Sequence, residues 1–202
     1  MTILAAAIAM SPLAALAADN AITLYGGYRS TGGFTDVDTG QSIDVKASGS
    51  IAASFDFAVD ASRQVQFFVS HRGSKFEVGA PPGSAAATLN GRSISVTYLH
   101  IGGTNFFGGP IGRGPYVAGG FGATQFSPGP SGYSSEWRPS MSLGLGYQLP
   151  LAANVALRFE ARAYFTLVNS EGGLFCSGGC MVTIKGDTFT QGEALIGLSM
   201  HF

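Results

Sequence analysis

The sequence predicts an all-β protein, an eight-stranded antiparallel up-and-down transmembrane β-barrel. Only 11% of its 202 residues are charged, against about 25% in a typical soluble protein. Yet no stretch after the N-terminus holds the roughly 20 consecutive apolar residues that a membrane helix needs. Apolar residues instead recur at every second position, which is the period of a strand. The connections between these runs alternate between short and long, as they do in membrane barrels.

The first 17 residues have the composition of a signal peptide. The segment is apolar almost throughout, and Ala15-Leu16-Ala17 has the small-x-small pattern of a signal-peptidase site. We therefore expect cleavage after Ala17, which would leave residues 18–202 as one barrel domain. A buried N-terminal helix is the alternative. Cleavage would imply export, and export permits disulfide formation.

The last two runs define their own orientation. In residues 154–169 the odd positions from Val155 to Leu167 are apolar, whereas the even positions carry Arg158, Glu160 and Arg162. An amphipathic helix would instead group its apolar residues three and four positions apart. In residues 191–202 the even positions are apolar to the end of the run. Both runs are therefore predicted to be strands with one lipid-facing and one interior face.

Six further runs complete the predicted barrel, at residues 21–31, 50–59, 64–72, 93–107, 113–126 and 137–149. Short connections rich in turn-forming residues are predicted at 58–63, 108–114 and 150–153. Longer, more polar connections are predicted at 35–47, 73–92, 127–135 and 169–187. Aromatic residues near strand ends are expected at the membrane interfaces, among them Phe106, Phe107, Trp137, Tyr147 and Phe165.

With these orientations the charged residues of the strands face the interior: Arg29, Asp56, Arg72, Arg138, Arg158, Glu160, Arg162 and Glu193. A lipid-facing Arg or Lys at the midplane costs about 2–4 kcal/mol, which accounts for the pattern. Because the first and last strands must meet to close a barrel, we predict an ion-pair cluster of Glu193 with Arg29 and Arg162. Arg158 and Glu160 are expected nearby. The favoured interpretation is a lumen held closed by this cluster, and the alternative is a gate or a narrow polar pore.

Cys176 and Cys180 lie in the last long connection, in the segment LFCSGGCMV. Their spacing allows a small disulfide ring in an exported protein, with free thiols or a metal site as alternatives. Two cysteines fall short of the four ligands of a structural zinc site. We therefore predict a disulfide and no metal.

The histidines, His71, His100 and His201, form no recognisable catalytic pattern. A histidine base needs a nucleophile within hydrogen-bond reach, and Ser70, the neighbour of His71, faces the opposite side of its strand. The G-x-G spacings are not followed by a helix pattern, which argues against a nucleotide loop. The net charge of -1 gives no basic surface for nucleic acid. We therefore predict no enzyme, no catalytic site and no cofactor.

Four segments carry a resemblance to a known group of proteins: ITLYGGYRSTGGF, YLHIGGTNFF, PYVAGGFGATQF and the ending ALIGLSMHF. They resemble the small outer-membrane β-barrels of Gram-negative bacteria, the OmpA-transmembrane, OmpX and OmpW-like group. The resemblance implies an outer-membrane location and contact with outer-membrane lipid and lipopolysaccharide. It also implies that Phe202 is an assembly signal read by the barrel-assembly machinery. The alternating connections predict that both termini are periplasmic, and we expect a monomer.

The sequence leaves several functional hypotheses open. The first is a structural or surface-interaction barrel that acts through its external loops, with its lumen closed by the Arg/Glu cluster. The second is a small-solute or hydrophobic-compound channel, since OmpW-like members are thought to pass small hydrophobic molecules through an apolar lumen. A remote third is a lipid A-modifying enzyme. The charged lumen predicted above favours the first.

Overall fold

The computed structural model describes residues 19–35, 42–79, 90–129, 134–168, 173–174, 182–183 and 188–202. These residues form twelve strands, and none of them belongs to a helix long and apolar enough to cross a membrane. In chain order the strands are β1 Ala21–Arg29, β2 Gly32–Thr35, β3 Ser42–Val45, β4 Ser48–Ala58, β5 Arg63–Val78, β6 Ser93–Phe106, β7 Gly114–Pro128, β8 Glu136–Ala152, β9 Val155–Leu167, β10 Gly173–Leu174, β11 Val182–Thr183 and β12 Thr188–His201.

Eight of these strands, β1, β4 to β9 and β12, close into an antiparallel up-and-down barrel. Each pairs with the next barrel strand along the chain, and β12 pairs with β1 to complete the ring. At this closing seam Ala21 lies opposite His201 and Arg29 lies opposite Glu193. The predicted fold class is therefore confirmed.

The connections alternate around the barrel, as the sequence predicts. Residues 59–62, 107–113 and 153–154 link strands at one end, which we call the short-turn end, and both Asn20 and Phe202 lie there. The other end, the long-connection end, carries the segments that follow β1, β5, β7 and β9. At the short-turn end the Arg63 side chain bonds to Asp60 and lowers the pKa of this carboxyl to about 2.

Two predicted long connections contain short strands and a third contains the end of a barrel strand, which corrects the sequence prediction. Residues 35–47 include β3, residues 169–187 include β10 and β11, and β5 continues six residues beyond its predicted end to Val78. The extension has a clear cause, because Phe76 and Val78 maintain the period of two and pair with Val45 and Ile43 on β3. Similarly, β8 runs to Ala152, so its turn is shorter than predicted.

The two faces of the barrel wall differ sharply in polarity. Large apolar side chains cover the exterior, with Leu24, Ile51 and Phe121 about two-thirds exposed, at 67%, 68% and 68%. The interior is lined by buried polar and charged side chains such as Arg29 and Asp56. An apolar exterior of this extent is unfavourable in water and favourable in lipid. The structure is therefore that of a membrane-spanning barrel.

One aromatic residue does not lie where the sequence analysis expects it. Phe107, Trp137 and Tyr147 are about half exposed on the exterior, as residues at a membrane interface should be. Phe106 is instead only 3% exposed and points into the lumen. The interfacial assignment of Phe106 is wrong, because strand alternation places it on the same face as the buried Thr104.

Two glycines let tyrosines lie flat against the inner wall. Tyr116 pairs with Gly146 across β7 and β8, and Tyr25 pairs with Gly197 across β1 and β12. A Cβ on Gly146 would meet the Tyr116 ring at 2.2 Å, and one on Gly197 would meet the Tyr25 ring at 2.4 Å. An aromatic ring over a cross-strand glycine covers the exposed backbone. These glycines leave space for the two tyrosines inside a narrow barrel.

Candidate functional site

The lumen brings together most of the site residues predicted from the sequence. From the short-turn end to the long-connection end it contains an apolar base, a lower ion-pair layer, an upper ion-pair layer and an apolar cap. An eight-stranded barrel encloses a space just wide enough for side chains to fill. The identity of those side chains therefore determines whether the lumen is open.

The base closes the lumen at the short-turn end. It consists of Phe106, Ile111, Tyr116 and Ala118, with Ala58 packed against them. Ile111 comes from the turn after β6, which folds under the barrel as its backbone N–H donates to the Ala61 carbonyl at 3.0 Å. The Phe106 and Tyr116 rings lie 5.2 Å apart. An apolar contact therefore separates the charged interior from solvent at this end.

The lower layer contains balanced ion pairs formed by one residue of β4 and three residues of β9. The Arg158 guanidinium lies 3.1 Å from the Asp56 carboxylate and 4.0 Å from the Glu160 carboxylate. Arg162 Nε donates to Glu160 Oε1 at 2.5 Å. These four side chains are almost completely buried. Because a buried ion is costly unless it is paired and hydrogen-bonded, each charge here depends on its partners.

Neutral side chains satisfy most of the remaining hydrogen bonds of the lower layer. Tyr116 donates to Glu160 Oε2 at 2.8 Å, and Ser54 donates to Asp56 Oδ2 at 2.6 Å. Gln66 donates to Asp56 Oδ1 at 2.7 Å and accepts from Arg162 Nη2 at 2.7 Å. Gln66 thus links the two ion pairs. Arg158 Nη2 is the one nitrogen of these four side chains that is buried without a hydrogen-bond partner among the described residues. The other hydrogen bonds hold the members of the network in one arrangement.

The upper layer is built around Glu193 on β12. Arg29 binds its carboxylate through Nη2 at 3.1 Å and Nε at 3.2 Å. Ser70 donates to the same carboxylate at 3.0 Å, and Tyr164 also donates to it. Arg29 further donates to Ser70 Oγ, and its Nη1 donates to the Val96 carbonyl at 3.3 Å. Arg29 therefore spans the lumen from β1 to β6.

Two stacked tyrosines fill the rest of the upper layer. The rings of Tyr98 and Tyr164 are parallel within 14°, with their centroids 3.9 Å apart. The Arg29 guanidinium carbon lies 4.7 Å from the centre of the Tyr98 ring and 5.2 Å from that of Tyr164. Contacts of this kind favour a cation over the ring face. The side chains of this layer therefore also cross the lumen.

The charges divide into two groups where the sequence analysis expects one cluster. Glu193 does meet Arg29, but Arg162 bonds to Glu160 even though it pairs with Glu193 in the strand register. The Glu193 carboxylate already accepts from Arg29, Ser70 and Tyr164, which leaves it little capacity for Arg162. The alternation of β4 predicts that Asp56 lies inside the barrel, but it predicts no partner for this carboxylate. Its pairing with Arg158 joins strands that are not neighbours in the sheet.

The cap fills the long-connection end of the lumen with apolar side chains. They are Ile43, Val45, Phe76, Val78, Ile94, Val96, Phe126 and Phe189, all buried. The rings of Phe126 and Phe189 meet edge to face at 5.4 Å. The residues of β3 and of the extended end of β5 belong to this cap. The segment that the sequence analysis treats as a loop therefore contributes to closure.

The histidines occupy three different environments. His71 is exposed on the exterior and contacts Thr97 Oγ1 at 2.8 Å. His100 is buried in the lumen, with Ser142 and Ser140 each 2.9 Å from its two ring nitrogens. His201 contacts Gln148 at 2.9 Å at the short-turn end. Because serines occupy both nitrogens of His100, no carboxylate holds this ring as an acid holds the base of a catalytic triad.

Several predictions concern residues outside the described ranges. The proposed signal peptide, residues 1–17, lies there, as do Cys176 and Cys180. Within the described ranges, no group of three or more His, Cys, Asp or Glu side chains could hold a metal ion.

Comparison with known proteins supports the fold. No protein-family model matches the sequence, and no curated protein sequence matches it. Among solved structures, the outer membrane protein AlkL in lipid bilayers matches 100% of this chain and 97% of its own, with 14% identity and a TM-score of 0.58. Neisserial surface protein A, NspA, matches over 91% and 97%, with 13% identity and a TM-score of 0.57. OprG from Pseudomonas aeruginosa matches over 92% and 96%, with 14% identity and a TM-score of 0.52. At these identities the likeness concerns the fold alone.

Proposed function

Because this chain has the fold of the small outer-membrane β-barrels, we propose that it is an integral outer-membrane protein with a sealed lumen. It acts as a structural or surface-interaction barrel, through the segments at its long-connection end. The observation that carries this proposal is the lower layer, in which the Arg158–Asp56 ion pair bridges the interior from β9 to β4 beside the Glu160–Arg162 pair.

The base and the cap support the same conclusion from the two ends. A pore that passes polar solutes needs a continuous water-filled path, as in larger porins. Here Ile111 and Phe106 form an apolar contact below the ion pairs, and Phe126 and Phe189 form one above them. An ion entering from either side would have to displace apolar side chains before it reached a charged group.

Conductance in planar bilayers tests the sealed lumen. The purified protein is expected to show no steady channels. The matched variant replaces Asp56 and Arg158 together with alanine, which empties part of the lower layer without leaving either charge unpaired. We expect this variant to conduct more than the wild type. Large, steady channels in the wild type would overturn the proposal.

We also propose that the long-connection end is external and that both termini are periplasmic. Short periplasmic turns and longer external loops are the usual arrangement in such barrels. An epitope inserted after Gly91 should be accessible to antibody on intact cells. The same epitope inserted after Ala61 should become accessible only after the outer membrane is permeabilised. The reverse result would invert the orientation.

Processing and the disulfide remain part of the proposal. Removal of residues 1–17 and a bond between Cys176 and Cys180 each change the mass of the protein by a defined amount. Intact-mass spectrometry of protein from the outer membrane, with and without reductant, tests both. Mature protein that starts elsewhere, or thiols that alkylate without reductant, would refute the respective proposal.

Phe202 is proposed to be an assembly signal for the barrel-assembly machinery. Its side chain is 54% exposed at the short-turn end, and its ring lies 6.0 Å from that of Phe55 on the exterior. Replacement of Phe202 by Asp should lower the amount of heat-modifiable barrel in the outer membrane several-fold. Phe202→Tyr is the matched control and should assemble normally. Normal abundance of the Asp variant would contradict the proposal.

A hydrophobic-compound channel is the second candidate, and the cap favours it. Apolar side chains such as Phe76 and Phe126 line the long-connection end of the lumen, where a hydrophobic compound would find a suitable surface. The charged layers lie below, so such a compound would have to leave sideways into the membrane. Uptake of a hydrophobic compound that depends on this protein and falls on replacement of Phe126 by Arg would favour this candidate.

We propose no enzymatic role. His100 and its serine partners are sealed inside the lumen, and His71 on the exterior contacts a threonine. A remote alternative remains the modification of lipid A. Lipid A from cells that express the protein should have an unchanged mass, and loss of an acyl chain would establish an enzyme.

We further propose that the protein is a monomer surrounded by outer-membrane lipid and lipopolysaccharide, which cross-linking in intact membranes tests.

A further inference from the structure

Arg72 is a buried cation with no carboxylate partner among the described residues. Its side chain reaches from β5 toward β1 in the upper layer and is only 1% exposed. Its Nη1 donates to the carbonyls of Arg29, Ser30 and Lys46, each at 3.1 Å. Its Nε and Nη2 are buried, and neither has a hydrogen-bond partner in the described part of the chain. Half of this guanidinium is therefore available to a ligand.

Among the described residues, the buried charges of the lumen leave one positive charge in excess. The fully buried cations of the described strands are Arg29, Arg72, Arg158 and Arg162, and the buried anions are Asp56, Glu160 and Glu193. Each of these anions is already held by an arginine other than Arg72. An uncompensated charge in the interior of a protein is strongly unfavourable. The excess therefore requires a negatively charged partner or local hydration.

A second unpartnered donor lies beside Arg72. The register that pairs Ile51 with His71 brings Ser50 next to Arg72 at the following position. Ser50 Oγ is buried and also has no partner in the described ranges. On its other side is Gly27, where a Cβ would meet Leu195 Cδ2 at 2.6 Å and the Ala194 carbonyl oxygen at 2.8 Å as well as Ser50 Oγ at 2.8 Å, so this side of the serine is already packed. The unpartnered donors of Ser50 and Arg72 therefore lie next to each other on β4 and β5.

We propose that the upper layer binds a small monovalent anion, chloride or an ion of similar size. The ion accepts hydrogen bonds from Nε and Nη2 of Arg72 and from the Ser50 hydroxyl. A single negative charge balances the excess in the lumen, whereas a dianion would reverse it. This site is separate from the sealed-lumen proposal and does not depend on it.

Bromide identifies such a site directly, because it replaces chloride and scatters anomalously. The protein is refolded in detergent with bromide as the only small anion and then crystallised. The expected result is an anomalous peak within hydrogen-bond distance of the Arg72 guanidinium and the Ser50 hydroxyl. Water alone at this position, or bromide only at exposed cations, would overturn the proposal.

Stability in solution gives an independent measurement. The midpoint of urea unfolding is measured as chloride replaces gluconate at constant ionic strength. The wild type should gain stability that saturates with chloride, and Arg72→Gln should lose this dependence. Arg63→Gln, which removes an exposed arginine, is the matched control and should keep it. If Arg72→Gln does not fold, Ser50→Ala should show a several-fold weaker chloride response. An unchanged response in the variant that folds would refute the site.

Discussion

The lower and upper layers of the lumen use the same residue types but differ in charge balance. The lower layer sets Arg158 and Arg162 against Asp56 and Glu160, and neutral side chains complete the carboxylate hydrogen bonds. The upper layer sets two arginines against Glu193 alone. The lower layer is therefore electrically complete, whereas the upper layer depends on one carboxylate. The comparison indicates that the two levels of one barrel differ in charge balance, and the proposed anion site lies at the level with the positive excess.

Loss of the single upper carboxylate should have the largest effect. Glu193→Gln leaves Arg29 buried without its carboxylate, and we expect a loss of about 3–5 kcal/mol in the free energy of unfolding. Urea unfolding in detergent, followed by the heat-modifiable band, measures it. The control is Glu77→Gln, which breaks an exposed pair with Lys46 and should cost at most about 1 kcal/mol. Equal losses in the two variants would contradict the comparison.

Two arginine substitutions should separate the layers further. Arg158→Met removes a partner from Asp56 and is expected to cost about 3 kcal/mol. Arg72→Met leaves no carboxylate unpaired. In a buffer without chloride it removes hydrogen bonds only to backbone carbonyls, for an expected cost of about 1 kcal/mol. The same unfolding measurement applies to both. If Arg72→Met lost more stability than Arg158→Met, the buried charges of the upper layer would be more tightly paired than those of the lower layer, which would contradict the comparison.

The stability of the lower layer should also depend on Gly146, the wall residue against which the Tyr116 ring lies. Gly146→Ala places a methyl group against the Tyr116 ring and displaces the hydroxyl that donates to Glu160. We expect a loss of about 1–3 kcal/mol. Gly26→Ala is the matched control, since a Cβ there meets nothing within 4 Å, and it should change stability by less than about 0.5 kcal/mol. Equal stability of the two variants would show that Tyr116 is free to shift.

The smallest effect is expected at the exposed ion pair of the short-turn end. Arg63 lowers the pKa of Asp60 to about 2, so this carboxylate contributes stability above its ordinary pKa near 4. The contribution is lost as the pH falls through 2, because the carboxylate is then protonated. Asp60→Asn should be slightly less stable than the wild type at pH 7 and equal to it below pH 2. A difference that persists at low pH would show that ionisation is not the cause.

The sequence predicts the barrel wall well, because the alternation of polar and apolar residues within each strand shows which face is buried. In β9 the alternation of Arg158, Glu160 and Arg162 with apolar residues is enough to orient the strand. In β5 the same alternation continues to Val78, so following the period of two beyond residue 72 would have predicted the extension. Local periodicity therefore gives the wall and its two faces.

The contents of the lumen are less accessible to sequence analysis, because contacts across it depend on the stagger of the strands. Asp56 meets Arg158 although β4 and β9 are not adjacent. Ile111 fills the base although its turn, GGPIGRG, is otherwise typical of a solvent-exposed connection. The one sequence feature that indicates a buried residue in this turn is Ile111 itself, an isolated apolar residue among glycines. Partners across the barrel have no fixed separation in sequence, unlike neighbours within a strand.

The closing seam has a further consequence for how the chain can be connected. The Phe202 N–H donates to the Asn20 carbonyl at 3.0 Å, and Ala21 pairs with His201. The strand pairings thus form a closed ring. The order of strands around this ring does not depend on where the chain begins and ends. A circular permutant that joins Phe202 to Asn20 and opens between Ala153 and Asn154 would keep all described strand pairings, because the cut lies in an exposed turn.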